Sequence, residues 1–85
     1  MIIQLMLEEI IRTGEEGIVK TVLFTTVGLK TQVGEKYLDQ LLNAGYVTME
    51  EVPWGKERTR QMVKITPKGD ARFQWFIRLS TELNL

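Results

Sequence analysis

Cysteine and histidine are both absent from this 85-residue chain. Without cysteine there is no disulfide framework and no thiolate metal site. Without histidine there is no imidazole ligand for zinc and no histidine-based triad. Proline occurs only twice, as Pro53 and Pro67, and the net charge is zero. No apolar run approaches the ~20 residues that a bilayer-spanning helix needs. The segment Met1–Leu7 is apolar, but Glu8 and Glu9 follow at once. It has neither the positive start nor the small-residue cleavage site of a secretion signal. These absences predict a cytoplasmic protein with no membrane partner, no metal and no cofactor.

Catalytic patterns are missing as well. There is no phosphate-cradling glycine motif and no paired carboxylate in an apolar setting. Glu8-Glu9, Glu15-Glu16 and Glu50-Glu51 read as solvated charge. The expectation is a protein that is not an enzyme and takes no small-molecule effector. At 44% hydrophobic and 26% charged residues, the composition is that of an ordinary globular domain. One domain of this length has a thin core, and dimerisation would bury more apolar surface.

Charge is distributed unevenly. Residues 1–52 carry four basic and eight acidic side chains, whereas 53–78 carry seven basic (Lys56, Arg58, Arg60, Lys64, Lys68, Arg72, Arg78) and two acidic. One reading is a chance imbalance on a solvated surface. The sharper one is a cationic wing, because neutralising phosphate supplies most sequence-independent affinity for nucleic acid.

Periodicity divides the chain. Ile3, Met6, Leu7 and Ile10 recur at helical spacing, with Gly14 placed to stop that helix. The segment 15–17 reads as a turn. Ile18–Val27 is rich in Val and Thr, which favours a strand by propensity. Alternation fails at Val22-Leu23-Phe24, however, and Val19, Val22, Leu23 and Thr26 share one helical face. A helix is predicted there. After Gly28 a third helix starts at Lys30 or Thr31, with Thr31 available as its cap. Leu38, Leu41 and Leu42 point inward, joined by Val33 or Tyr37, and Gly45 stands at the C-terminal stop. Tyr46–Glu50 reads as a strand, Pro53, Trp54 and Gly55 as a turn, and Arg58–Thr66 as an alternating second strand. Thr66-Pro67 then reads as a cap followed by proline at the first helical position. Hence the segments 1–14, 18–45, 46–66 and 67–83 are expected to be an N-terminal helix, a helix-turn-helix, a two-stranded wing and a C-terminal helix. The predicted class is α+β, a winged helix-turn-helix with a three-helix core.

The segments KTVLF (Lys20–Phe24), KYLDQLLNAGYV (Lys36–Val47) and ITPKG (Ile65–Gly69) resemble the small winged helix-turn-helix DNA-binding proteins of archaea and their viruses. The resemblance covers about residues 18–80. Its Leu-Leu-x-x-Gly and Thr-x-x-Gly pieces recur across many winged-helix families. There are two departures from the pattern. Lys30 replaces a serine-like helix cap. Gly34 replaces an inward-packing apolar residue, leaving two alternatives: a close approach to the second helix, or a loose front of the third.

The third helix is the candidate reader of duplex DNA. Thr31, Gln32 and Gln40 carry groups that can pair with base edges, and Lys30 and Lys36 would meet phosphates. Against this, Glu35 and Asp39 also project outward and would repel phosphate unless they read cytosine amino groups or pair with Lys36. In the wing, Lys56, Arg58 and Arg60 fall at alternate positions, on one side of an extended ribbon. Trp54 is read as an anchor under that loop in preference to a DNA contact. The last helix carries Phe73, Trp75, Phe76, Ile77, Leu79 and Leu83, more large apolar groups than a thin core uses. They predict a homodimer through this helix, with Ile2 and Leu5 of the first contributing. The function expected is sequence-specific binding of double-stranded DNA by a homodimeric transcriptional regulator. The alternatives are a protein–protein interaction module on the same scaffold and a non-specific architectural protein.

Overall fold

A computed structural model describes residues 1–83. The elements run α1 (Ile2–Arg12), a 3-10 turn (Gly14–Glu16), β1 (Ile18–Val19), α2 (Lys20–Val27), α3 (Thr31–Asn43), β2 (Val47–Pro53), β3 (Thr59–Ile65) and α4 (Pro67–Leu83). The described residues thus form a mixed α+β fold of four helices and one antiparallel sheet in the order β1-β3-β2. The element count departs from a three-helix core with a two-stranded wing and a long C-terminal helix, because a 3-10 turn and a third strand are present.

That third strand corrects the expected helix at Ile18. Ile18 and Val19 pair with Val63 and Met62 of β3, so the β propensity of the segment prevails for two residues. Helix α2 begins only at Lys20. Its inward face also differs from the expected one. Leu23 and Phe24 are buried, whereas Val22 is 50% exposed and Thr26 is exposed. The face is chosen by the elements that α2 packs against, α1, α3 and the sheet, and helical spacing alone did not single it out.

The core is made of Met6, Leu7 and Ile10 from α1, Ile18, Leu23 and Phe24, Leu38 and Leu41 from α3, and Val47 and Val63 from the sheet. Of the two alternatives for completing the α3 face, Tyr37 packs against this core and Val33 is exposed. Helix α4 lies against α1, with Phe73 and Phe76 half-buried on the core.

The two recurring sequence motifs meet at one junction. Helix α3 stops where Gly45 takes φ 77°. The Gly45 and Tyr46 amides donate to the Leu42 and Leu41 carbonyls, each at 3.0 Å, the pattern of a Schellman stop. The Thr66 hydroxyl accepts from the Gly69 amide at 3.0 Å, capping α4, and donates to the Gly45 carbonyl at 2.6 Å. The Thr66 amide donates to the Tyr46 carbonyl at 3.0 Å. A Cβ on Gly69 would fall on that same Tyr46 oxygen. Residue 69 is therefore glycine because backbone approaches backbone there.

β2 and β3 pair from Val47↔Ile65 to Pro53↔Thr59. β2 is longer than the strand expected to end at Glu50, and Pro53 closes it instead of lying in the turn. Proline is tolerated there because β2 is an outer strand.

Candidate nucleic-acid interface

The solvent face of α3 is where the amides and hydroxyls lie. Thr31, Gln32, Lys36, Asp39, Gln40 and Asn43 are all exposed. Lys30 holds the N-cap position with extended backbone, and no side chain caps the helix. Thr31 is its first helical residue, so the expected Thr31 cap is not formed.

The front of α3 is docked firmly, which resolves the alternatives at Gly34. Gly34 is buried, and a Cβ there would stand 2.7 Å from three carbons of the Phe24 ring. Glycine lets α3 close onto α2 at that point. One residue further on, the Glu35 carboxylate accepts from the Lys20 ammonium at 2.5 Å. Glu35 was expected to face cytosine or Lys36. Instead it is half-buried and turned to α2, because the Gly34 contact brings the start of α2 within its reach. The negative charge nearest the front of α3 is thereby neutralised from within the protein.

In the wing, the Trp54 amide donates to the Arg58 carbonyl at 2.8 Å and closes the turn. Glu57 has φ 57°, and β3 starts only at Thr59. Lys56 therefore lies in the turn and is taken out of the alternation at Glu57, whereas Arg58 and Arg60 flank Thr59 of β3 and keep it, since alternation needs extended backbone. The Arg60 guanidinium carbon lies 6.0 Å from the Trp54 ring centroid. Trp54 is 52% exposed and does not pack under the loop as an anchor. Lys64 donates to Glu50 at 2.7 Å across the strands. Lys56, Arg58 and Arg60 carry no ion pair among the described residues.

Lys20 joins the two parts. It bonds Glu35 of α3 and, with Val19, Thr21 and Val22, lines an open hollow of about 400 Å³ whose other wall is Trp54, Thr59 and Arg60. The start of α2, the front of α3 and the base of the wing thus form one continuous surface. Sequence reading missed Lys20, since its partner lies fifteen residues away and no periodicity links them.

The six α4 residues expected at a dimer seam are divided. Phe73 and Phe76 serve the chain's own core, Leu79 is half-buried, and Trp75, Ile77 and Leu83 are 42%, 41% and 58% exposed. Nor does the basic half of the sequence belong to the wing alone. Lys68, Arg72 and Arg78 are on α4, where Lys68 and Arg72 lie over the Tyr46 ring at 5.6 and 5.8 Å.

No protein-family model matches this sequence, and no curated protein sequence matches it. Two solved structures are similar in fold. One is smu.1704 from Streptococcus mutans UA159, with TM-score 0.74 and 15% identity over 96% of this chain and 81% of that one. The other is Sso10a-2, a DNA-binding protein from Sulfolobus solfataricus. It matches with TM-score 0.63 and 27% identity over 96% of this chain and 83% of that one. Among the described residues, no helix is long and apolar enough to cross a membrane.

Proposed function

We propose that this chain is a winged helix-turn-helix protein that binds double-stranded DNA as a homodimer and regulates transcription by reading sequence. It acts as a binding protein and not as an enzyme. The observation that carries the reading is the continuous surface from α3 through Lys20 to the wing. On it Glu35 is already paired with Lys20, while Lys30, Lys36, Lys56, Arg58 and Arg60 carry no ion pair among the described residues and can meet phosphates. The likeness to the DNA-binding protein Sso10a-2 supports it. In the proposed complex α3 enters the major groove, with Thr31, Gln32 and Gln40 toward base edges. Lys56, Arg58 and Arg60 follow the backbone.

The test is selection of bound sequences from random duplex DNA, followed by competition among single-base variants of the winning site. Gln32→Ala is expected to lose discrimination at one or two base pairs, as a bidentate contact contributes about 1–3 kcal/mol. Its amide is uncharged, so bulk electrostatics stay fixed. An unchanged preference profile removes Gln32 as a reader. Duplex binding with no preference by the parent protein replaces regulation with an architectural role. No duplex binding at low salt leaves the interaction-module reading.

Homodimerisation is supported by Leu5 of α1 and by Ile77 and Leu83 of α4, apolar groups exposed on two helices that pack together. Exposed apolar surface of this kind marks interfaces. Sedimentation equilibrium at micromolar concentration is expected to give the dimer mass, and a monomer throughout would refute it.

A further inference from the structure

Helix α4 carries a second cationic surface that the duplex-binding reading does not use. Lys68, Arg72, Trp75 and Arg78 follow one another at steps of four, three and three residues. They therefore share one side of the helix over roughly 15 Å. With Ala71 they line an open hollow of about 250 Å³. The Arg72 guanidinium carbon is 5.2 Å from the Trp75 ring centroid and 5.8 Å from that of Tyr46, and the Lys68 ammonium is 5.6 Å from Tyr46. These cation–π contacts hold the basic groups in place without neutralising them. None of Lys68, Arg72 and Arg78 carries an ion pair among the described residues. Asp70, the acid on the same turn as Lys68, projects from the opposite side of the helix, and Glu82 ends the stripe, lining an adjoining hollow with Trp75, Arg78 and Leu79.

We propose that this stripe binds single-stranded nucleic acid, with a base stacked on Trp75 and flanking phosphates on Lys68, Arg72 and Arg78. Two features select that ligand. The cations call for a polyanion. The 42% exposed indole among them calls for an unpaired aromatic face, which a duplex keeps inside its stack and a single strand offers. A second copy of the same stripe is a poor occupant, because a symmetric contact tends to set like charges against one another. The site is separate from the α3–wing surface and stands or falls independently of duplex binding.

The experiment uses the Trp54→Phe chain, in which Trp75 is the remaining tryptophan, and an oligothymidylate of about a dozen nucleotides. Saturable quenching of Trp75 emission is expected. Its affinity should fall with salt at a log–log slope of about −0.7 per phosphate contacted. In the parent chain, followed by anisotropy of a labelled oligothymidylate, Trp75→Ala is expected to weaken binding at least about fivefold, with Trp75→Phe retaining part of it. Arg72→Gln with Arg78→Gln should weaken binding and reduce the salt slope, while Arg58→Ala with Arg60→Ala leaves both unchanged. The proposal is overturned by saturable binding without quenching, by no binding at low salt, or by equal loss in the wing variant. It is also overturned if Trp75→Ala converts a dimer to a monomer, which would make the stripe an interface between copies. Duplex binding by Gln32→Ala and by the wing variant is scored on separate DNA, so failure of one reading leaves the other measurable.

Discussion

Helix α3 and the wing share one surface, yet they are held there by different physics. The front of α3 is fixed by contact in three dimensions. Gly34 closes onto Phe24, Lys20 bonds Glu35, and Leu38 and Leu41 lie in the core. The wing beyond the β1 pairing rests on its own two-stranded ladder, and its turn residues Trp54, Gly55, Lys56, Glu57 and Arg58 are all exposed. A helix that reads bases has to hold a geometry. A cationic turn that meets phosphate needs only charge within reach, because backbone contacts carry no sequence information. The two regions therefore should respond differently to substitution.

The strongest way to break the contrast is at Gly34. Gly34→Leu should destabilise the fold by about 1–3 kcal/mol through overpacking against Phe24, and should abolish duplex binding as α3 is displaced. Urea denaturation and a duplex titration read both effects, and Phe24→Leu in the same chain should recover part of the stability. If Gly34→Leu is as stable as the parent, α3 is not docked on Phe24.

Lys20 sharpens the contrast with a smaller effect. The Lys20–Glu35 pair is partly solvated, so Lys20→Ala should cost less than about 1 kcal/mol of stability. It should nevertheless weaken duplex binding, because the Glu35 carboxylate is released toward phosphate. Adding Glu35→Gln should restore most of the affinity. If the double variant binds no better than Lys20→Ala, the lysine itself contacts phosphate and the neutralising role is wrong.

The wing should show the smallest structural effect of the three. Arg58→Ala with Arg60→Ala is expected to change stability by no more than about 0.5 kcal/mol. It should weaken binding to all duplex sequences and reduce the salt slope by roughly 0.9 for each phosphate that is no longer neutralised. Titration at several salt concentrations checks this, and an unchanged slope would remove the wing from the interface. Arg60→Ala alone should also alter Trp54 emission, since the guanidinium lies over that ring.

The parts of the fold legible in the sequence are those encoded over short stretches. Gly45 ends α3 because a left-handed residue is needed within its own turn. Thr66 and Pro67 start α4 because a cap and its helix are neighbours in sequence. The spacing of Met6, Leu7 and Ile10, and of Leu38 and Leu41, gives the inward faces of the two most amphipathic helices. The turn between β2 and β3 is marked by Trp54-Gly55, and the candidate α3 residues Thr31, Gln32, Lys36 and Gln40 were identifiable from outward periodicity.

What required the tertiary structure was every choice that depends on a partner distant in sequence. Ile18 and Val19 are extended because β3 lies beside them, while the next eight residues of similar composition are helical. Val22 faces solvent and Phe24 the core because α1, α3 and the sheet pack against the other face of α2. Gly34 is a docking point because an aromatic ring occupies the space of its absent side chain. Glu35 turns to Lys20 because that docking brings them together. The basic half of the chain divides between a turn and the side of α4 because β3 and the Thr66 junction send those segments to different places. Local conformation follows from a few adjacent residues. The pairing of charges and the burial of one face over another follow from which elements the fold sets side by side.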